Sequence, residues 1–142
     1  MTGKNLLVAT DGSANADRAV AYAISLVRRG VATRLHLLNV QPPLEGVVGN
    51  LIDQETVDAY RRKEGAKMLV SAEAMCAAAS VESESHVDAG RPGVVVTERA
   101  DQLGCDSIVV GTRGHTGLKE VLLGSVARDV VSRVKVPVWL VK

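Results

Sequence analysis

Phenylalanine is absent from this chain, and only Tyr22, Tyr60 and Trp139 carry large aromatic rings. A core built from it must be aliphatic. A nucleic-acid surface of interleaved aromatic and basic side chains has little to be made from. Charge of one sign is lacking too: 17 basic and 16 acidic residues leave a formal net charge of +1. The one compact basic run, Arg61-Arg62-Lys63, reads as a solvated helix face, so direct nucleic-acid binding is not expected. Cys76 and Cys105 match no metal spacing and are too few for a disulfide framework. Long hydrophobic runs are missing as well. The apolar stretch within TGKNLLVATDGS is too short for a signal peptide or a membrane span. A soluble, reduced, cytoplasmic protein without membrane contact is the expectation.

What is present is alternation. The 142 residues make a single domain, and 46% of them are hydrophobic, enough to bury a core. Apolar runs at 5–10, 33–40, 81–87, 107–110 and 136–141 alternate with four helical patterns. In the first helix Ala16, Ala19, Val20, Ala23, Ile24 and Val27 form one stripe, with Ser13 placed as N-cap and Gly30 as stop. The second, 54–78, carries Met68, Ala72, Met75 and Ala79 on a stripe that reads as core. The third begins at Pro92 and ends near Gly104; the fourth starts at Ser125. Strands alternating with helices predict an open five-stranded parallel sheet with helices on both faces. LLVA at 6–9 and IVV at 108–110 suit strands covered on both sides, whereas VESESHV at 81–87 suits an edge. Right-handed crossovers then favour the order 3-2-1-4-5.

In that order the chain leaves strands 1 and 4 toward opposite edges, and the crevice at their carboxyl ends is the expected ligand site. Thr10 and Asp11 close the first strand and border it. The stretch GTRGHTGLKEVLLGSV, 111–126, follows the fourth strand. Gly111 lets a ligand lie against bare backbone, and Gly114 can turn the chain so that amides point inward. Gly124 and Ser125 open the fourth helix, whose free amides favour an anion, with the Ser125 hydroxyl as a further donor and as a cap. Leu118, Val121 and Leu122 anchor the turn between. The P-loop and dinucleotide patterns are both absent. Asp11 is read two ways: as partner of a ribose, base or phosphate-borne metal, or as a helix cap beside Ser13.

The motif G-x2-G-x9-G-[ST], met by Gly111, Gly114, Gly124 and Ser125, resembles that of the ATP-binding universal stress proteins. VATDGS at 8–13, HVDAGRP at 86–92, DSIVVGTRG at 106–114 and VPVWLVK at the end extend the likeness over nearly the full length. The resemblance implies a Rossmann-like domain that forms a homodimer, with one nucleotide per subunit. It implies Asp11 and Val40 near adenine and ribose, and Gly111, Thr112, Arg113, Gly114, Gly124, Ser125 and Val126 around ribose and phosphates. His115 is read two ways, as a phosphate contact or, the preferred reading, as a solvated side chain.

Three classes of function compete: a regulatory ATP-binding module acting on an unknown protein partner, an enzyme (a slow ATP hydrolase or an adenylyl-transfer protein), and an interaction protein whose pocket takes AMP or another small molecule. The loop offers Arg113, His115 and Lys119 but no paired carboxylates, so efficient phosphoryl transfer is not expected. Related adenylating folds place a histidine pair or a Ser-Gly-Gly run after the first strand, and DGSANA has neither. ATP, with ADP or AMP as alternatives, is the expected ligand, carrying magnesium or manganese that Asp11 would help to hold. The last strand, from Val136 to Val141, is apolar yet falls at a sheet edge, which invites pairing with a second copy near Trp139.

Overall fold

Leu6, Leu7 and Val8 are consecutive and all essentially inaccessible to solvent, which a strand permits only when both faces of its sheet are covered. The computed structural model describes residues 4–43, 53–113 and 123–142. Along the chain run β1 (Asn5–Ala9), α1 (Ala14–Arg28), β2 (Arg34–Gln41), α2 (Gln54–Ala78), β3 (Ser83–Ala89), α3 (Pro92–Gln102), β4 (Ser107–Gly111), α4 (Ser125–Arg133) and β5 (Val138–Val141). The five strands form one parallel sheet in the order β3-β2-β1-β4-β5, as expected.

Alternation along the strands divides the core in two. Leu6, Val8, Leu35, Leu37 and Val109 meet Ala19, Ala23 and Ile24 of α1 and Leu69, Ala72 and Cys76 of α2. Leu7, Leu38, Ile108 and Val110 meet Val96 and Ala100 of α3 and Ala127 and Val130 of α4. Each fully buried leucine or isoleucine contributes about 1.5–3 kcal/mol, so aliphatic packing alone makes the absence of phenylalanine tolerable.

The helix ends follow their residues. Ser13 Oγ accepts from the Ala16 amide at 3.1 Å and caps α1, and Asp53 caps α2 by accepting from Thr56 at 2.8 Å. Met75 and Ala79 pack half-buried against the core, as their stripe predicts. The third strand begins later than its apolar residues suggest. The Val81 amide closes the end of α2 on the Cys76 carbonyl at 2.9 Å, and pairing starts only at Ser83 opposite Leu35. The last strand likewise begins at Val138, not Val136.

Candidate functional site

A cleft of about 260 Å³ opens at the carboxyl ends of the central strands. Thr10 and Asp11 border it from β1, Val40 from β2, and Gly111, Thr112 and Arg113 from β4. Gly124, Ser125 and Val126 close the side formed by the start of α4. The predicted binding residues are thus brought together, except Gly114, which lies outside the described residues with Leu118, Lys119, Val121, Leu122 and His115. Pro92 and Val96 of α3 add an apolar wall opposite β1.

The β1 side is a tight turn. The Asp11 carboxylate accepts from the Ser13 amide at 2.9 Å, and Thr10 Oγ1 accepts from the Gly12 amide at 3.1 Å. Gly12 has φ +78°, a conformation that favours glycine, and a β-carbon there would also come within a tight 3.2 Å of the Met68 carbonyl oxygen. Asp11 therefore organises the entry to α1 and also borders the cleft; its two readings coexist. Beneath it, the buried Asn39 donates to the Thr10 carbonyl at 2.9 Å and to the Met68 sulfur at 3.3 Å, while Gln41 donates to Asn39 Oδ1 at 2.7 Å. This amide pair fixes the end of β1 against β2.

On the β4 side one glycine has a structural reason in addition to the expected one. A β-carbon on Gly111 would collide with the side-chain amide of Asn15, so the missing side chain makes room for α1. Asn15 is buried. Its Oδ1 accepts from the Arg113 amide at 2.7 Å, and its Nδ2 donates to the Val141 carbonyl at 3.3 Å. The same carbonyl accepts from the Thr112 amide at 2.9 Å. Asn15 thus holds the start of the glycine loop to the last strand. In sequence it is only a polar residue in a first helical turn.

The start of α4 also departs in detail. Gly124 occupies the N-cap position, and Ser125 is the first helical residue, so its hydroxyl is not the cap. Gly124 donates to the Thr112 carbonyl at 2.6 Å, and the helix's first internal bond runs from the Arg128 amide to the Gly124 carbonyl at 3.0 Å. The amides of Ser125, Val126 and Ala127 precede that bond and have no acceptor within the helix. All three residues line the cleft. Their amides and the helix dipole make this wall favourable for an anion. Among the described lining residues Arg113 is the one cation and Asp11 the one carboxylate. Val40, Pro92 and Val96 make another part of the lining apolar. Such a cleft suits a ligand with a flat, weakly polar head and an anionic tail.

Residues 3–142 match the model of the universal stress protein family. Universal stress protein YxiE of Bacillus subtilis is 33% identical over 147 residues, covering 96% of this chain and 97% of its own. The solved structure of MJ0577, a universal stress protein of Methanocaldococcus jannaschii, matches with a TM-score of 0.82 at 25% identity, covering 100% of this chain and 97% of that one. A universal stress protein solved in complex with cAMP matches with a TM-score of 0.74 at 28% identity, covering 100% and 99%.

Proposed function

This chain belongs to the universal stress protein family, and from that premise we propose that it is a regulatory module that binds ATP in the β1–β4 cleft with little or no turnover. One observation carries the reading: the three amides at the start of α4 that lack a helical acceptor belong to residues lining the same cleft as the apolar wall of Val40 and Val96. The adenine and ribose rest against Val40, Thr10 and Asp11. The phosphates lie along Gly111, Thr112, Arg113 and Gly114 toward Gly124, Ser125 and Val126. Asp11 helps to hold the magnesium or manganese that the phosphates carry. Binding of a nucleotide by the relative solved with cAMP supports the ligand class.

The described residues of the cleft support the reading of weak turnover. Phosphoryl transfer needs a positioned base and a cationic clamp. Here the one carboxylate already accepts from the Ser13 amide, and the Arg113 side chain is exposed. Calorimetry with magnesium and ATP is expected to show one saturable site, with hydrolysis far below the ordinary enzyme median of about 10 per second. Absence of ATP binding would remove the proposal, and turnover in the ordinary range would make the protein a hydrolase. The cAMP complex of a relative favours a second reading, in which AMP, ADP or a cyclic nucleotide occupies the same cleft. Mass spectrometry of the nucleotide retained through purification separates the two. The proposed setting is cytoplasmic, with two copies joined through β5 and nucleotide occupancy altering contact with a protein partner.

A further inference from the structure

Outside the residues that line the cleft, two imidazoles face each other across the β2–β3 pair. His36 Nδ1 lies 3.0 Å from His86 Nε2, with ring centroids 5.2 Å apart. The Glu84 carboxylate approaches both, one oxygen 3.9 Å from His36 Nδ1 and the other 3.9 Å from His86 Nε2. Register explains the meeting. His36 pairs with Glu84 and Leu38 with His86, so period-two alternation puts His36, Glu84 and His86 on one face of the sheet. It is the face α3 covers, since Asp88 in the same row pairs with Arg99 of that helix. His36 is 4% exposed, and the Glu84 side chain, at 54%, reaches in from solvent.

We propose that His36, His86 and Glu84 form a binding site for a divalent transition metal of the zinc class. The three ligand atoms lie within 4.8 Å of one another. Zinc bonds imidazole nitrogen at about 2.0–2.1 Å, which at a tetrahedral angle sets two nitrogens roughly 3.3 Å apart. The observed 3.0 Å needs only a few tenths of an ångström of ring movement. Each 3.9 Å approach is made by a different oxygen, so a single ligating oxygen must close by about half an ångström on one nitrogen and by up to about 1.5 Å on the other to reach the same tetrahedral spacing, a movement within reach of an exposed side chain. Arg34 is the competitor. Its guanidinium lies 3.9 Å from Glu84 but is already hydrogen-bonded to Glu82, so it keeps a partner when Glu84 turns to the metal. Two imidazoles and one carboxylate suit zinc, nickel or cobalt better than magnesium or calcium, which prefer all-oxygen shells. Three protein ligands leave a fourth position for water. The ion would pin the edge strand β3 to β2. The site does not depend on the nucleotide reading, because none of its residues borders the cleft.

The test uses the full chain, stripped with chelator and free of nucleotide, titrated with cobalt(II) chloride and with zinc chloride. One equivalent should bind, the cobalt form should show the visible bands of a four- or five-coordinate nitrogen–oxygen site, and zinc should displace it. His86→Gln and Glu84→Gln, both on the edge strand, should each weaken binding by more than about a hundredfold, beyond what loss of an outer-shell contact costs. His115→Ala should leave it unchanged. Circular dichroism checks that the edge variants remain folded; if His86→Gln does not, Glu84→Gln decides. No saturable cobalt or zinc binding at micromolar concentration would overturn the proposal. So would folded edge variants that bind like the parent, or loss of binding in His115→Ala alone.

Discussion

Cys105 and Cys76 are packed into opposite faces of the sheet, each within an aliphatic cluster. Burial, with a smaller contribution from Asp106, pushes the Cys105 thiol up to about 11. Burial raises Cys76 as well, against a hydrogen bond with Ser83 that acts the other way. At pH 8 a thiol near 11 is ionised in about one molecule per thousand, and the thiolate is the reactive form. Both cysteines should therefore react slowly with an aromatic disulfide reagent in the native protein and rapidly in denaturant. Quick labelling of one equivalent without denaturant would contradict this burial. Single residues were also where sequence reasoning met its limit. Val40, Asp11 and Gly124 could be placed because a strand end or a helix start announces them. Asn15, Asn39 and the edge pair of histidines could not, because each acquires its role from a partner distant in the chain.

Elements proved more readable where one periodicity ran unopposed. The second helix has the bounds expected of it, Gln54–Ala78, because a capping Asp53 and a long stripe agree. β3 slid by two residues because Val81, apolar enough for a strand, serves to close the helix before it. The start of α4 gives a sharper test. Since Gly124 holds the cap position, Ser125→Ala should leave the melting temperature essentially unchanged while weakening ATP binding roughly tenfold, the scale of one hydrogen bond to a charged group. Gly124→Val should abolish binding. Its β-carbon alone would sit 3.1 Å from the Thr112 carbonyl oxygen, forcing the β4 loop away from α4, at a stability cost of about 1–3 kcal/mol. Calorimetry and thermal melts on both variants check the pair. A lowered melting point with unchanged affinity in Ser125→Ala would mean that the hydroxyl serves only the helix.

At the scale of the molecule, the order 3-2-1-4-5 was legible because LLV and IVV admit only central strands while SESH admits only an edge. The other edge, β5, carries the assembly prediction, and its alternation sorts the residues. Trp139 turns inward and packs against Tyr22 of α1 with ring centroids 5.6 Å apart and planes tilted by 50°, half-buried against the core, whereas Leu140 is 42% exposed. Substituting Trp139 would thus disturb the fold as well as any seam, and Leu140 is the better probe. The parent is expected to sediment as a dimer at micromolar concentration and Leu140→Glu as a folded monomer. A parent that sediments as a monomer would remove β5 as an interface.

The Val141 carbonyl receives the Thr112 amide and the Asn15 side chain, and Asn15 also receives the Arg113 amide. The mouth of the cleft is therefore tied to the edge strand β5 by one direct hydrogen bond and by a relay of two through Asn15. A ligand that shifts residues 112–113 shifts the strand through which two copies would join. Thermodynamic linkage makes such an effect reciprocal: whatever factor nucleotide adds to self-association, self-association returns to nucleotide affinity. Asn15 would be the hinge of that exchange, and Asn15→Ala should reduce the factor by which nucleotide changes the dimerisation constant measured by sedimentation.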